Sequence, residues 1–197
     1  MILYGASGHG KVIIEILEAN GVKVDYVVDD NPEIHDLLGY EVRRNSGKYD
    51  DAIISIGSAQ IRKKLVETLQ VKNYPVAIHP TAIVSPRAKI GEGTVVMQGA
   101  ILQTCVEVGK HCIINTGASV DHDCKLADYV HIAPQATLSG AVEVGEGTWI
   151  GAGAVIKQCI KIGANCMIGA GAVVVKDVPD GMTVVGVPVG KRFSSMY

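Results

Sequence analysis

Val144-Gly145-Glu146-Gly147-Thr148-Trp149-Ile150-Gly151-Ala152-Gly153-Ala154-Val155-Ile156 sets the frame of the chain: an aliphatic residue recurs every six positions, and a small one follows four places after it. Extended in both directions, the frame runs from Ile78 to Val174 through seventeen aliphatic positions, among them Val84, Val108, Val120, Ile132, Leu138 and Ile168. Four residues on stand small or β-branched side chains, as at Ala82, Thr94, Cys112, Ala118, Cys124 and Ala172. A period of six fits neither an amphipathic helix nor an alternating hairpin strand. It marks a hexapeptide β-helix, in which each hexad is one short strand and a corner, three hexads make a coil, and coils stack as parallel strands.

Both repeat positions face the prism interior, where three faces converge and only one of the two residues can be large. Glycine often follows the aliphatic residue, as at Gly91, Gly109, Gly145 and Gly163, and is expected there to let the chain bend with positive φ. The repeat predicts between five and six coils, a prism about 27 Å long at roughly 4.8 Å per strand.

Composition narrows the function classes. The formal charge of the 197 residues is −2, and no basic stripe marks a nucleic-acid partner. The apolar runs are too short to span a bilayer, and no charged leader precedes the Ile2-Leu3-Tyr4 strand, so a cytoplasmic protein without membrane insertion is expected. Five cysteines without C-x-x-C spacing, three of them (Cys112, Cys124, Cys166) in inward positions, predict core thiols rather than disulfides or a metal site.

Residues 1–77 read as a small α/β domain with a Rossmann-like parallel sheet, and residues 78–197 as the β-helix with its C-terminal tail. In the first, strands are expected at 1–4, 24–28 and 51–56, and helices at 12–20 and 61–69, the second burying Ile61, Leu65, Val66 and Leu69. Alternating strands and helices imply that ligands bind at the carboxyl ends of the strands. The turn Gly5-Ala6-Ser7-Gly8-His9-Gly10-Lys11 has P-loop spacing, but Val12 stands where Ser or Thr would hold Mg²⁺. Its glycines run G-x-x-G-x-G instead of the dinucleotide G-x-G-x-x-G, and a second mononucleotide half is absent. Backbone N–H groups at a helix N-terminus still favour phosphate, and the carboxylates of Asp29-Asp30 can accept from ribose or base.

These elements, with Ile56-Gly57, Ile61-Arg62-Lys63-Lys64, the hexads and the closing Val185-Gly186-Val187-Pro188, resemble the PglD/NeuD family of sugar acetyltransferases over essentially the whole chain. The resemblance implies a left-handed β-helix, a handedness that the residues do not dictate, and a homotrimer binding acetyl-CoA between subunits. It implies a UDP-linked 4-amino-4,6-dideoxy sugar as acceptor, held by Ser7, Gly8, His9, Asp29, Asp30 and Gly57, with Asn115 touching the sugar. It also implies cofactor contacts at His131, Ala152 and Ala170.

The residues themselves point to chemistry in Val120-Asp121-His122-Asp123-Cys124. With Val120 and Cys124 inward, His122 is expected outward on an exposed strand position, and Gly140, one coil on, leaves an open floor beside the ring where cofactor can lie. Imidazole beside a carboxylate is the general-base pairing that takes a proton from an amine or hydroxyl attacking a thioester. The family places its base here, so His122 is assigned as general base and Asp123 as its orienter, where the family pattern has Glu. His131 is expected to point outward, and His35, His79 and His111 to be structural or solvent-facing. No metal is expected: the intervals among His111, His122 and His131 do not suit the three-histidine zinc site of other hexapeptide prisms. O-acetylation of a sialic-acid-type sugar and a catalytically silent trimeric binding protein are the alternative readings.

Overall fold

A computed structural model describes residues 1–193. The first domain holds a six-stranded sheet ordered β3-β4-β2-β1-β5-β6: β1 Ile2–Tyr4, β2 Tyr26–Val28, β3 Asp36–Leu37, β4 Tyr40–Arg43, β5 Lys48–Ile54 and β6 Gln70–Asn73. All pairs are parallel except β3 with β4. Helix α1 spans Gly8–Ala19 and α2 spans Ala59–Thr68.

Two sequence expectations need correction here. Helix α1 begins four residues earlier than its apolar spacing suggests, because Ser7 takes the extended N-cap conformation and the glycine-rich segment supplies the first turn. Gly10 is obligatory there, since a Cβ would stand 2.5 Å from the Gly5 carbonyl oxygen. In α2 the fully buried side chain is Arg62, at 1% exposure, whereas Ile61 is 52% exposed; Leu65, Val66 and Leu69 pack against the Tyr4, Val28 and Ile54 cluster. Strands β3, β4 and β6 escaped the sequence reading because they are short or carry little apolar alternation.

From Ala77 the chain winds into a left-handed parallel β-helix. Face one stacks Ala77–Ile78, Val95–Val96, Ile113–Ile114, His131–Ile132, Trp149–Ile150, Met167–Ile168 and Thr183–Gly186. Face two stacks the six strands from Ile83–Val84 to Val173–Val174, and face three the five from Lys89–Ile90 to Lys161–Ile162. The aliphatic and small positions interdigitate inside: Leu102, Cys112, Ile114, Ala118, Val120, Cys124, Ile132 and Ala136 are all at most 1% exposed. The thiols of Cys112, Cys124 and Cys166 are core groups, as the frame predicts, and Cys105 and Cys159 are exposed.

The corner glycines serve a different purpose from the one expected. Left-handed φ falls three residues after the aliphatic position, at Gly93, Gly99, Gly117 and Gly153 and equally at His111, Asp123, Tyr129, Ala141 and Asn165. The glycine immediately after the aliphatic residue is needed because the next coil passes too close: a Cβ on Gly91 would sit 2.6 Å from the carbonyl carbon of Gly109, and one on Gly145 equally close to that of Gly163. Stacking distance, not φ, selects glycine at that position.

The first domain sits on face one. Helix α1 packs on Ala77–Ile78, and Leu3, Ala6, Ile13 and Leu17 share one cluster with Ala77, Val95, Met97 and Ile113 from the outside of the prism. Removing this much apolar surface from water, at roughly 25 cal/mol per Å², makes the two units one body in which the sheet's carboxyl edge is held in register with the lower coils. Further up the face, Met167 is 45% exposed. No helix among the described residues is long and apolar enough to cross a membrane.

Candidate active site

The carboxyl ends of β1 and β2 are organised by two acids with separate tasks. Asp29 accepts from the Ala6 N–H at 2.7 Å and the Asn31 N–H at 2.9 Å, so it ties the glycine-rich turn to the end of β2. Asp30 accepts from the Tyr4 hydroxyl at 2.8 Å and is otherwise exposed. Burial, the hydrogen bond to Asp30 and its charge hold the Tyr4 hydroxyl well above the usual phenol range. Arg44 fixes the following loop through the carbonyls of Asp29, Pro32 and Ile34. At the start of α1, Ser7 and Gly8 are exposed, and the Ser7 side chain makes no capping bond. This edge therefore offers a free hydroxyl, unpaired helix N–H groups and one open carboxylate, a set suited to a phosphate and a sugar hydroxyl.

Where the two domains meet, His9, Gly57, Asn115 and His131 come together. The His131 ring does point out of the prism, yet the first domain covers it, and it is only 5% exposed. It lies 4.0 Å from Trp149 and 6.4 Å from His9 between ring centroids, with Nε2 3.2 Å from Asn115 Nδ2. The outward direction expected of His131 holds, and docking of the first domain on this face takes the ring out of solvent. Burial first, then the positive fields of His9 and Arg62, push its pKa down to about 3, with the Gly57 carbonyl acting weakly the other way. Burial and then Arg62 push His9 down to about 4. The Nδ1 of His131 and the Nε2 of His9 are buried without hydrogen-bond partners. Such imidazoles are neutral at any physiological pH.

His122 is built the opposite way. It lies in the turn between faces two and three, not on a strand, because the strand ends at Val120 and the corner must be made by the next residues. Asp123 takes the left-handed conformation of that corner, φ 59°, which Asp tolerates better than most residues, and this swings its carboxylate to within 2.8 Å of His122 Nδ1. An ionised carboxylate only accepts, so Nδ1 carries the proton and Nε2 keeps its lone pair. The hydrogen bond to Asp123, followed by the charge of Asp121, raises the His122 pKa. The ring lies across Gly140: a Cβ there would stand 2.6 Å from Cε1 and 2.7 Å from Nε2. Side chains of His122 and Asp123 are more than half exposed.

Ala152 and Ala170 occupy a third place, the corner between faces one and two, where Gly151-Ala152-Gly153 and Gly169-Ala170-Gly171 stack and Gly171 N–H donates to the Ala152 carbonyl at 2.8 Å. Both alanines are exposed. Asn115 begins the same corner two coils earlier. A single chain therefore gathers the sheet-edge residues and the His9–His131 group at the domain junction, while His122, Asp123 and Gly140 stand at the corner opposite the docked face. His111 is buried between Tyr74 and Tyr129, with ring centroids at 4.7 and 5.5 Å.

Tyr4, Trp149 and Arg62 were not singled out as individual site residues in the sequence. For Trp149 a signal existed: it is the sole tryptophan and lies eighteen residues, one coil, after His131.

Comparison with known proteins fits this geometry. Residues 1–69 match the family model described as PglD N-terminal domain, and residues 141–176 the bacterial transferase hexapeptide (six repeats). A histidine-to-asparagine mutant of perosamine N-acetyltransferase from Caulobacter crescentus, in complex with CoA and GDP-perosamine, is 35% identical with a TM-score of 0.90, covering 98% of this chain and 96% of that one. The chain belongs to the PglD-type hexapeptide acetyltransferases. The acetyltransferase domain of PglB from Neisseria gonorrhoeae is similar at 39% identity and TM-score 0.88, over 96% of this chain and 97% of that one. UDP-N-acetylbacillosamine N-acetyltransferase of Bacillus subtilis is 42% identical over 48% of this chain, and the match spans 50% of that relative's length.

Proposed function

We propose that this family member transfers an acetyl group from acetyl-CoA to the 4-amino group of a nucleotide-linked amino sugar, with UDP-4-amino-4,6-dideoxy sugars as the preferred acceptors. The observation that carries the reading is His122: Nδ1 is spent on Asp123, Nε2 is free, and the ring lies over the bare floor at Gly140. The neutral amine attacks the thioester carbonyl, His122 Nε2 takes the ammonium proton that develops, and collapse of the tetrahedral intermediate expels CoA as thiolate, which the imidazolium reprotonates. Asp123 holds the tautomer and stabilises the imidazolium. The nucleotide half is assigned to Ser7, Gly8, His9, Asp30 and Gly57, with Asp29 shaping the turn and Asn115 near the sugar; acetyl-CoA is assigned to the corner of Ala152 and Ala170, Gly140 and the vicinity of His131.

Support comes from relatives whose names or complexes hold UDP-N-acetylbacillosamine, GDP-perosamine, CoA and acetyl-CoA. The UDP preference follows the Bacillus relative. The reading includes a homotrimer, and its support is that His122 sits at the corner opposite the face carrying its own first domain, an arrangement in which a sugar held by one chain would meet the base of a neighbour. In such an assembly face two would be the contact surface, with Ile83 at 64% and Val155 at 40% exposure. Exposed free thiols at Cys105 and Cys159 suit a reducing, cytoplasmic setting.

The test is CoA release measured with UDP-4-amino sugars, GDP-linked amino sugars and sialic acids in parallel. Turnover confined to nucleotide-linked amines supports the reading; turnover on a sialic acid hydroxyl, or none on any acceptor, overturns it.

A further inference from the structure

Among the described residues Arg62 is the largest fully buried side chain, and no carboxylate among them lies within ion-pairing distance of it. Its guanidinium is spent on backbone carbonyls from both domains. Nη1 donates to Ile56 at 2.8 Å and Gly57 at 3.0 Å, on the loop between β5 and α2. Nε donates to His111 at 2.7 Å and Nη2 to Tyr129 at 2.8 Å, both at the prism corner between faces three and one. Nothing about packing alone requires an arginine in α2. A buried cation is costly to desolvate, and removing it leaves several buried carbonyls unpaired. The neighbouring tie is of another kind: Lys63 meets Glu146 at 2.5 Å with both side chains 45% exposed, a pair of small worth in water.

The carbonyls that Arg62 grips are not arbitrary. Gly57 ends the β5 loop at the sheet's carboxyl edge, beside His131 and within the group formed with His9. The prism corner it grips carries Tyr129, two residues before His131. The planar fork, reaching both sides at once, fixes the separation of the loop and the coil to within a hydrogen bond, which a single-point ammonium does not do.

We propose that Arg62 is a positioning residue that sets the spacing between the nucleotide-sugar loop at Gly57 and the His131 coil, so that sugar bound on the first domain is presented at a fixed height on the prism. The assignment rests on the acetyltransferase reading above. Burial is the main reason the junction imidazoles are held neutral, and the charge of Arg62 adds to it at His9 and, to a lesser degree, at His131.

The experiment compares Arg62→Lys, Arg62→Met and the control Lys63→Met as full-length protein. Losing part of a charge-assisted set corresponds to roughly ten- to a hundredfold in binding, so Arg62→Lys should raise KM for the nucleotide sugar by about that factor while KM for acetyl-CoA stays within about twofold; Arg62→Met should lose more, and Lys63→Met neither. Equal losses on both substrates in folded protein, or no loss, overturn the proposal. Amide hydrogen exchange over residues 55–58 reads the tether with no substrate present: faster exchange in Arg62→Lys, with β1 and β5 unchanged, supports it even if Arg62→Met does not fold. Unchanged exchange there overturns it. A wild type that acetylates no nucleotide sugar would remove the proposed activity and leave this arm standing.

Discussion

His122 and His131 are nine residues apart in one repeat, and the molecule treats them as opposites. One stands at a bare corner with a carboxylate on Nδ1 and its pKa raised; the other is roofed by the first domain, has no carboxylate, and is pushed to about 3. The repeat gives both an outward side chain. What separates them is which face the first domain covers, and that difference decides which imidazole can cycle a proton near neutral pH. His131 is left as a rigid, neutral wall beside Trp149 and Asn115, suited to contact and not to proton transfer.

Breaking the His122 side of the contrast should have the largest effect. General-base assistance is typically worth about 10²–10⁴-fold, so His122→Ala should lower kcat by that factor with melting temperature and acetyl-CoA affinity nearly unchanged, because an exposed corner side chain contributes little packing. Steady-state kinetics beside a thermal melt checks this. Gly140→Ala comes next: its methyl would occupy the space of the imidazole edge, forcing the ring off its floor. A loss of kcat of about ten- to a hundredfold is expected, the scale of a misplaced catalytic group, with a crystal structure of the variant showing the displaced ring. Asp123→Asn should cost less, roughly tenfold. It should also move the acidic limb of kcat/KM to lower pH, since an imidazole without the neighbouring negative charge holds its proton less tightly; profiles of wild type and variant on one acceptor read the shift.

The other side of the contrast shows in stability. His9, His111 and His131 have folded pKa values of about 4, 4 and 3, below the ordinary 6.5, so between roughly pH 6.5 and 4 the unfolded chain binds more protons than the native one, and stability falls as pH falls through that window. His122 acts in the opposite sense, but its side chain is more than half exposed and solvent screens the effect. A melting temperature that drops steadily from pH 7 to pH 4.5 is the expected result, and replacing His111 by Gln should flatten part of the slope.

The sequence carried the prism almost completely, because burial inside a three-sided coil constrains every sixth residue. It carried the His122–Asp123 pairing too, since both are local. It did not carry the docked face. Outward residues of face one (Ala77, Val95, Ile113) and face two (Ile83, Ile101, Val155) are equally apolar, so hydropathy cannot say which is covered, and the burial of His131 follows from that choice alone. The grip of Arg62 was illegible for a related reason: its partners are backbone carbonyls, which every residue has. The +1 glycines were found for the wrong cause, close stacking leaving the same mark as positive φ.

Site-resolved NMR titration of the histidine rings tests the contrast most directly. The account predicts that His122 titrates above 6.5, and is protonated on Nδ1 when neutral, while His9 and His131 show no transition down to about pH 5. A His131 that titrates near neutrality while His122 titrates below it would contradict the assignment of the base and transfer that role to the domain junction.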